Sequence, residues 1–335
     1  MPHSPVDRDS TLRMAVIGCG HIGNLHAQAI SSSPLASLMA VCDLDGTRGQ
    51  STAERFSAKP YENVTELLAN ERLDAVTVAT PDHLHMEPTL AAIASGCHVF
   101  CEKPLAATVN EAQRMADAAT KRGVQLGVDY NRRFAFGYRT AKRLLDEGRI
   151  GKLNYALLRV TDAVPKAEVA RHSQVIFTTL LTHHLDLMRV YDGEIQRIQA
   201  HAGEVSVGAL LRNVSLSLQF TGGAIGTIVA GYRDDQTRTT EWLELGGTTG
   251  SMVVEDISRR VILSGTDPDR SESFEPNPFL GSHGFHDSIV EHVQVFIEHV
   301  ARGAAPPVTA GDGLIGMQLA AAAIESLASG TAIEV

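Results

Sequence analysis

The sequence predicts an α/β fold in two parts: a doubly wound parallel sheet, then an α+β domain with a large, mainly antiparallel sheet. Two observations carry this. Strand-like and helix-like stretches alternate from Leu12 to Val128, whereas from Leu153 to Glu255 short β-type runs follow one another and are turned by Gly222-Gly223 and Gly246-Gly247. A chain of 335 residues is long enough to bury a sizeable core in each part. The expected boundaries are a flexible polar leader at 1–10, a first domain at 11–128 and a second at 129–335.

The first strand is the apolar run Leu12, Met14, Ala15, Val16 and Ile17. It ends in Gly18-Cys19-Gly20-His21-Ile22-Gly23, and helical spacing follows at Ile22, Leu25, Ala29 and Ile30. Glycines in this G-x-G-x-x-G pattern serve a tight turn, close backbone approach to a pyrophosphate, and close helix-on-strand packing. The diphosphate then rests on the helix N-terminus, with His21 and Ile22 in its first turn. The second strand-like run, Leu38 to Cys42, ends at Asp43, 20 residues beyond Gly23, where the Rossmann arrangement places a carboxylate on the ribose hydroxyls. A carboxylate there repels a 2′-phosphate, so NAD is favoured over NADP. Arg48 softens that preference, and an Asp at a strand end also suits a plain turn.

Helices are expected at about Thr47 to Phe56, from Asn63-Val64-Thr65-Glu66 onward, at Met86 to Ser95, and from the capping box Thr108-Val109-Asn110-Glu111 to Gly123. Between them Leu73–Ala79, His98–Cys101 and Val124–Val128 read as strands. The loops Thr80-Pro81-Asp82-His83-Leu84-His85 and Glu102-Lys103-Pro104 therefore leave the carboxyl edge of the sheet, where such folds bind ligands. Composition narrows the classes. A net charge of −10 argues against a nucleic-acid surface, and no apolar run approaches the roughly 20 residues that span a bilayer. With no apolar leader and four cysteines (Cys19, Cys42, Cys97, Cys101) in no paired pattern, a cytoplasmic enzyme with reduced thiols is the expectation.

Gly18-x-Gly20-x-x-Gly23, Ala79-Thr80-Pro81-Asp82-x-x-His85, Cys101-Glu102-Lys103-Pro104 and Asn131-Arg132-Arg133-Phe134 together resemble the Gfo/Idh/MocA family, that is, glucose-fructose oxidoreductase, inositol dehydrogenase and rhizopine catabolism proteins. The resemblance covers nearly the whole chain. It implies an NAD-dependent oxidoreductase acting on a secondary alcohol of a sugar, cyclitol or related polyol. It also implies a Lys103 that touches nicotinamide and substrate, a cis Pro104, and cofactor contacts from Thr80, Pro81, His85, Glu102, Asn131 and Arg132. Arg133 reads equally as a salt-bridging surface residue.

Family members carry D-x-x-x-H-x-x-D on a later helix, here Thr179-Leu180-Leu181-Thr182-His183-His184-Leu185-Asp186. Anchoring on Asp186 makes His183 the general base. It also puts Thr179 one helical turn earlier on the same face, where the family acid would stand. A hydroxyl bonds to an imidazole but brings no charge, so the proton step is altered at this position. Asp186 reads as structural. The family's open sheet face implies a homo-dimer or homo-tetramer, with Leu216, Leu218, Ile228 and Val229 expected to be covered there. Substrate choice is expected to depend on Asp162 to Gln174 and on Ser282-His283.

Two other readings stay open: an enzyme that retains NAD and oxidises its substrate only transiently during hydrolysis or epimerisation, and a non-catalytic NAD-responsive sensor. No metal is expected. His83, His85, His183 and His184 lack the cysteine or carboxylate spacing of a zinc site.

Overall fold

The computed structural model describes residues 11–164, 174–203, 206–207, 210–234, 239–267, 269–277, 279 and 284–335. The expected leader, most of the Asp162–Gln174 segment, and Ser282-His283 lie outside them. In chain order the elements are β1 (Leu12–Ile17), α1 (His21–Ser32), β2 (Ala36–Cys42), α2 (Gly46–Phe56), β3 (Lys59–Tyr61), α3 (Val64–Asn70), β4 (Ala75–Val78), α4 (Met86–Ala94), β5 (His98–Cys101), α5 (Val109–Arg122) and β6 (Leu126–Val128). Then come α6 (Phe136–Asp146), β7 (Leu153–Ala163), α7 (Leu181–Asp192), β8 (Ile195–Ala202), β9 (Ser206–Val207), β10 (Leu210–Leu211), β11 (Asn213–Phe220), β12 (Ile225–Arg233), β13 (Thr240–Gly247) and β14 (Ser251–Glu255). The chain closes with β15 (Arg260–Ser264), β16 (Ser271–Phe274), α8 (Phe285–Ala301), α9 (Ala310–Ser329) and β17 (Ile333–Glu334).

Two compact units result, one of residues 1–130 with 289–317 and one of 131–288 with 318–335. In the first, six parallel strands lie in the order β3-β2-β1-β4-β5-β6, the doubly wound arrangement with its switch between β1 and β4. Local chemistry sets the helix ends. The Asn63 side chain accepts from the amides of Thr65 and Glu66, Thr108 and Glu111 form a reciprocal capping box, and Gly123 ends α5 in the left-handed region at φ 74°. Strands β1, β2 and β5 share an aliphatic core with α1. Val293, Phe296, Ile297 and Val300 of α8 join that core, so this late helix belongs to the first unit. The four cysteines are buried and unbridged, and burial pushes the Cys19 and Cys42 thiols up to about 11 and about 12, which leaves them unreactive.

The second unit is built on a nine-stranded sheet in the order β16-β15-β14-β13-β7-β12-β11-β8-β17, antiparallel except between β7 and β12. Period-two alternation decides which face each residue takes. Leu216, Leu218 and Ile228 are buried within the unit, and only Val229 of the four expected surface residues is exposed. Ile228 and Val229 are neighbours on one strand and must point to opposite faces. Exposed Val229 lies instead with Ile225 and Tyr155, which pair across β12 and β7. The short strands β3 and β15–β17 carry too little periodicity to be read from sequence, and helix α6 was passed over although Tyr138, Ala141 and Leu144 stand at helical spacing on its buried face. Among the described residues no helix is long and apolar enough to cross a membrane.

Candidate functional site

In the first unit the three glycines of the β1–α1 turn each meet a different constraint. Gly18 has φ +95°, and a Cβ there would lie 2.6 Å from the backbone of Ala79. A Cβ on Gly23 would fall 1.8 Å from the carbonyl oxygen of Gly18, so α1 packs on β1 at backbone distance. Above Gly20 there is open space, with no described atom within 4 Å of a Cβ. Helix α1 starts at His21 with no side-chain cap and no acid in its first turn, which leaves its positive dipole end for an anion. An open backbone at the head of an uncapped helix fits a diphosphate.

Asp43 directly follows β2 and is 8% exposed. Its Oδ2 accepts from the amide of Cys19 at 2.7 Å and from Nε of Arg48 at 3.0 Å; its Oδ1 accepts from the amide of Asp45 at 2.8 Å and from Nη2 of Arg48 at 2.9 Å. Burial opposes ionisation, but Arg48 and the two amides outweigh it and hold this carboxyl below the usual range. The carboxylate fits a ribose diol, and Arg48 already donates to both of its oxygens.

Two loops leave the carboxyl edge of the same sheet. Thr80 follows β4, and its Oγ1 is buried without a hydrogen-bond partner among the described residues, an orphan suited to a ligand. Pro81 follows. His85, expected to touch the cofactor, instead faces the carbonyl oxygens of Thr80 and Pro104 with its two ring nitrogens, each at 2.8 Å. It braces the two loops, lying between their carbonyls and donating to one of them through the nitrogen that carries the proton. The Lys103–Pro104 peptide is cis. Glu102, also expected at the cofactor, turns back into the unit: its Oε1 is 3.2 Å from Nε2 of His26, and its Oε2 accepts from the Lys103 amide at 3.2 Å.

His26, Glu102 and Asp129 form a group with the spacing of a metal-ligand set, which differs from the four histidines weighed from sequence. Sequence reasoning passed over His26 and His292, although both interrupt apolar helix faces (Ala27, Ile30; Ile289, Val293).

In the second unit His183 and His184 lie on α7, 4% and 0% exposed, with ring centroids 6.4 Å apart. Nδ1 of His184 bonds to the carbonyl of Leu180 at 2.9 Å and its Nε2 is 3.4 Å from Oε1 of Glu241. His184 is thus tied into a buried ion cluster. Thr179 precedes His183 on a π turn and not on the regular α-helix expected: residues Ile176–Leu180 form it, closed by the Leu181 amide on the carbonyl of Ile176.

Asn131 and Arg132, expected at the cofactor, are engaged within this unit. Asn131 donates to Ser288 at 2.9 Å, and Arg132 binds Oε1 of Glu241 through Nε at 3.0 Å and Nη2 at 2.7 Å and stacks on Phe285. A guanidinium 5% exposed needs a carboxylate at hand, and Glu241 supplies it. Tyr138 donates to the other Glu241 oxygen. Burial opposes the Glu241 charge, but Arg132 and His184 hold the carboxyl well below its usual range. Sequence reasoning missed Glu241. Its signal was a charge at an inward position of the alternating strand β13. Arg133 pairs with buried Asp186 through Nε at 2.8 Å and Nη2 at 2.5 Å, a structural role for both.

Residues 12–130 match the family model described as "Oxidoreductase family, NAD-binding Rossmann fold", and residues 138–253 match the Gfo/Idh/MocA C-terminal domain. The myo-inositol 2-dehydrogenase of Thermotoga maritima is 29% identical over 94% of this chain and 96% of its own. The scyllo-inositol 2-dehydrogenase (NAD(+)) of Bacillus subtilis is 30% identical over 96% of each. The crystal structure of a probable dehydrogenase from Thermotoga maritima superposes with a TM-score of 0.84 at 27% identity, covering 96% of this chain and 98% of that one. With a parallel nucleotide-binding sheet, an open glycine turn and both halves of the chain matched, this protein belongs to the Gfo/Idh/MocA family of NAD-binding oxidoreductases.

Proposed function

We propose that this protein is a dehydrogenase that uses NAD in preference to NADP and acts on a secondary alcohol of an inositol or a related sugar or polyol. The observation that carries this reading is full-length similarity, at 29% and 30% identity, to two proteins named inositol 2-dehydrogenases. The open glycine turn, the orphan Thr80 hydroxyl and Asp43 support a dinucleotide at the first sheet. When bound, the nicotinamide supplies the hydride chemistry. The Lys103 ammonium stabilises negative charge developing on the substrate oxygen, and His183 takes the hydroxyl proton as general base. Gly18, Gly20, Gly23, His21 and Ile22 hold the diphosphate, and Asp43 the ribose. Cysteines without disulfides suit a reducing compartment, and we assign the enzyme to the cytoplasm. Tyr155, Ile225 and Val229 on the open sheet face suit a homo-oligomer.

The test is near-ultraviolet detection of NADH with purified protein, NAD or NADP, and a panel of inositols, aldoses, sugar acids and amino sugars. Turnover with a polyol that is lost in Lys103→Ala is the expected result. Turnover intact in Lys103→Ala refutes the site. Thr179 in place of a carboxylate favours a second reading, transient oxidation with retained NAD; silence across the panel, with NAD copurifying, selects it.

A further inference from the structure

Four titratable side chains with no part in the proposed reaction meet inside the first unit. His26 comes from α1, Glu102 follows β5, Asp129 follows β6 and His292 sits on α8. Nε2 of His26 is 3.2 Å from Oε1 of Glu102 and 3.8 Å from Oδ2 of Asp129, and Oδ1 of Asp129 accepts from Nδ1 of His292 at 2.7 Å. The side chains of His26 and His292 are 0% exposed, that of Asp129 1% and that of Glu102 12%. Phe100 seals the cluster by presenting its ring to both imidazoles, with centroids 5.6 and 4.8 Å away.

Two carboxyl groups so close in a dry interior are not both ionised unless positive charge lies against them. His26 is placed to provide it. Burial disfavours its charged form, yet Asp129 and Glu102 outweigh burial and push the pKa up to about 9. Burial also opposes charge on Asp129, but His26 and His292 hold that carboxyl below its usual range, while burial and the Asp129 charge raise Glu102. The cluster thus sets the His26 ring against the carboxyls of Glu102 and Asp129, with His292 bonded to the far oxygen of Asp129. The charged groups facing His26 are Glu102 and Asp129, with His292 behind Asp129.

Glu102 connects this interior to the sheet edge. Its amide donates to the Val78 carbonyl at 2.9 Å, and its Oε2 accepts the amide of Lys103. We propose that His26, Asp129 and His292 are positioning residues for the Glu102–Lys103–Pro104 turn: the His26 ring, held by Asp129 and His292, braces the Glu102 carboxyl, which fixes the Lys103 peptide and the charge adjoining it. The consequence for turnover rests on the function proposed above; the state of the cluster does not.

The experiment is ring-nitrogen NMR of the histidines in the full chain, alongside steady-state kinetics and NADH binding. Wild-type His26 keeps both ring protons well above pH 6.5, and Asp129→Asn lowers its titration by more than about one pH unit. His26→Gln lowers kcat at least about tenfold and shifts its pH profile, while KM for the polyol and the NADH Kd change less than about threefold. A His26 ring that titrates at the ordinary value overturns the proposal. So does a folded His26→Gln with wild-type kcat and pH profile. Should His26→Gln fail to fold, Asp129→Asn carries the kinetic comparison. Should no polyol be turned over, the ring titration and its response to Asp129→Asn decide alone, separating failure of this proposal from failure of the assigned reaction.

Discussion

An alanine at Gly20 and an alanine at Gly23 test two different jobs within one turn. At Gly23 the added methyl would sit 1.8 Å from the Gly18 oxygen and 2.9 Å from its carbon, whereas ordinary contact begins at 3.4 Å. Helix α1 and the turn must part by more than an ångström, and the obstacle is backbone, which cannot rotate aside. Overpacking of flexible cores costs about 1–3 kcal/mol, so Gly23→Ala is expected to cost about 3 kcal/mol. At roughly 2–4 °C per kcal/mol for a unit of this size, Tm falls by about 6–12 °C without cofactor. At Gly20 the backbone has φ −69° and ψ −168°, extended and open to any residue, and no described atom lies within 4 Å of the new carbon. Stability of the free protein should hold or rise by about 0.4–1 kcal/mol, through lower entropy of the unfolded chain. The methyl nevertheless fills the ground a diphosphate needs, and NADH binding should weaken at least about tenfold, or about 1.4 kcal/mol. Thermal melts without cofactor and NADH fluorescence titrations read the two effects separately. A Gly20→Ala protein that binds NADH like wild type, or a Gly23→Ala protein that melts like wild type, refutes this division of labour.

Arg48→Ala frees the two Asp43 lone pairs that Arg48 now occupies, so NAD should bind about fivefold tighter while any use of NADP disappears, as read by titration with both cofactors. Glu241→Gln leaves the buried Arg132 unpaired and should cost about 3–5 kcal/mol in denaturant melts. Because the folded Glu241 carboxyl is lowered from 4.5, its contribution is intact above pH 4.5 and is lost as pH falls through the lower folded value. His26 has the opposite sign. Raised from 6.5 to about 9, it contributes fully below pH 6.5, and that stability is lost as pH rises through about 9. A pH series of melts on the wild type, Glu241→Gln and His26→Gln should show the acid and alkaline limbs flatten in the respective variants. Thr179→Asp should raise kcat about tenfold by returning a charged partner to His183, and an unchanged rate would remove Thr179 from the proton step.

The cis Lys103–Pro104 peptide came from the family resemblance; the glycine turn, the strand–helix alternation and the helix caps were legible in the residues themselves. Each depends on residues within a few positions of one another, whose spacing fixes backbone dihedrals and apolar faces. The antiparallel sheet was legible in class, but its exposed face was not: adjacent apolar residues such as Ile228 and Val229 leave the inward side unspecified until a strand finds its partners. The partners of buried charges were also hidden. Arg132 meets Glu241 109 positions away, and Asp129 meets His292 163 positions away. Each charged residue shows in the sequence only as a polar interruption of an apolar face. Desolvation demands that such a group be neutralised, but only the folded chain, by bringing β13 to Arg132 and α8 back to the first sheet, decides by which residue.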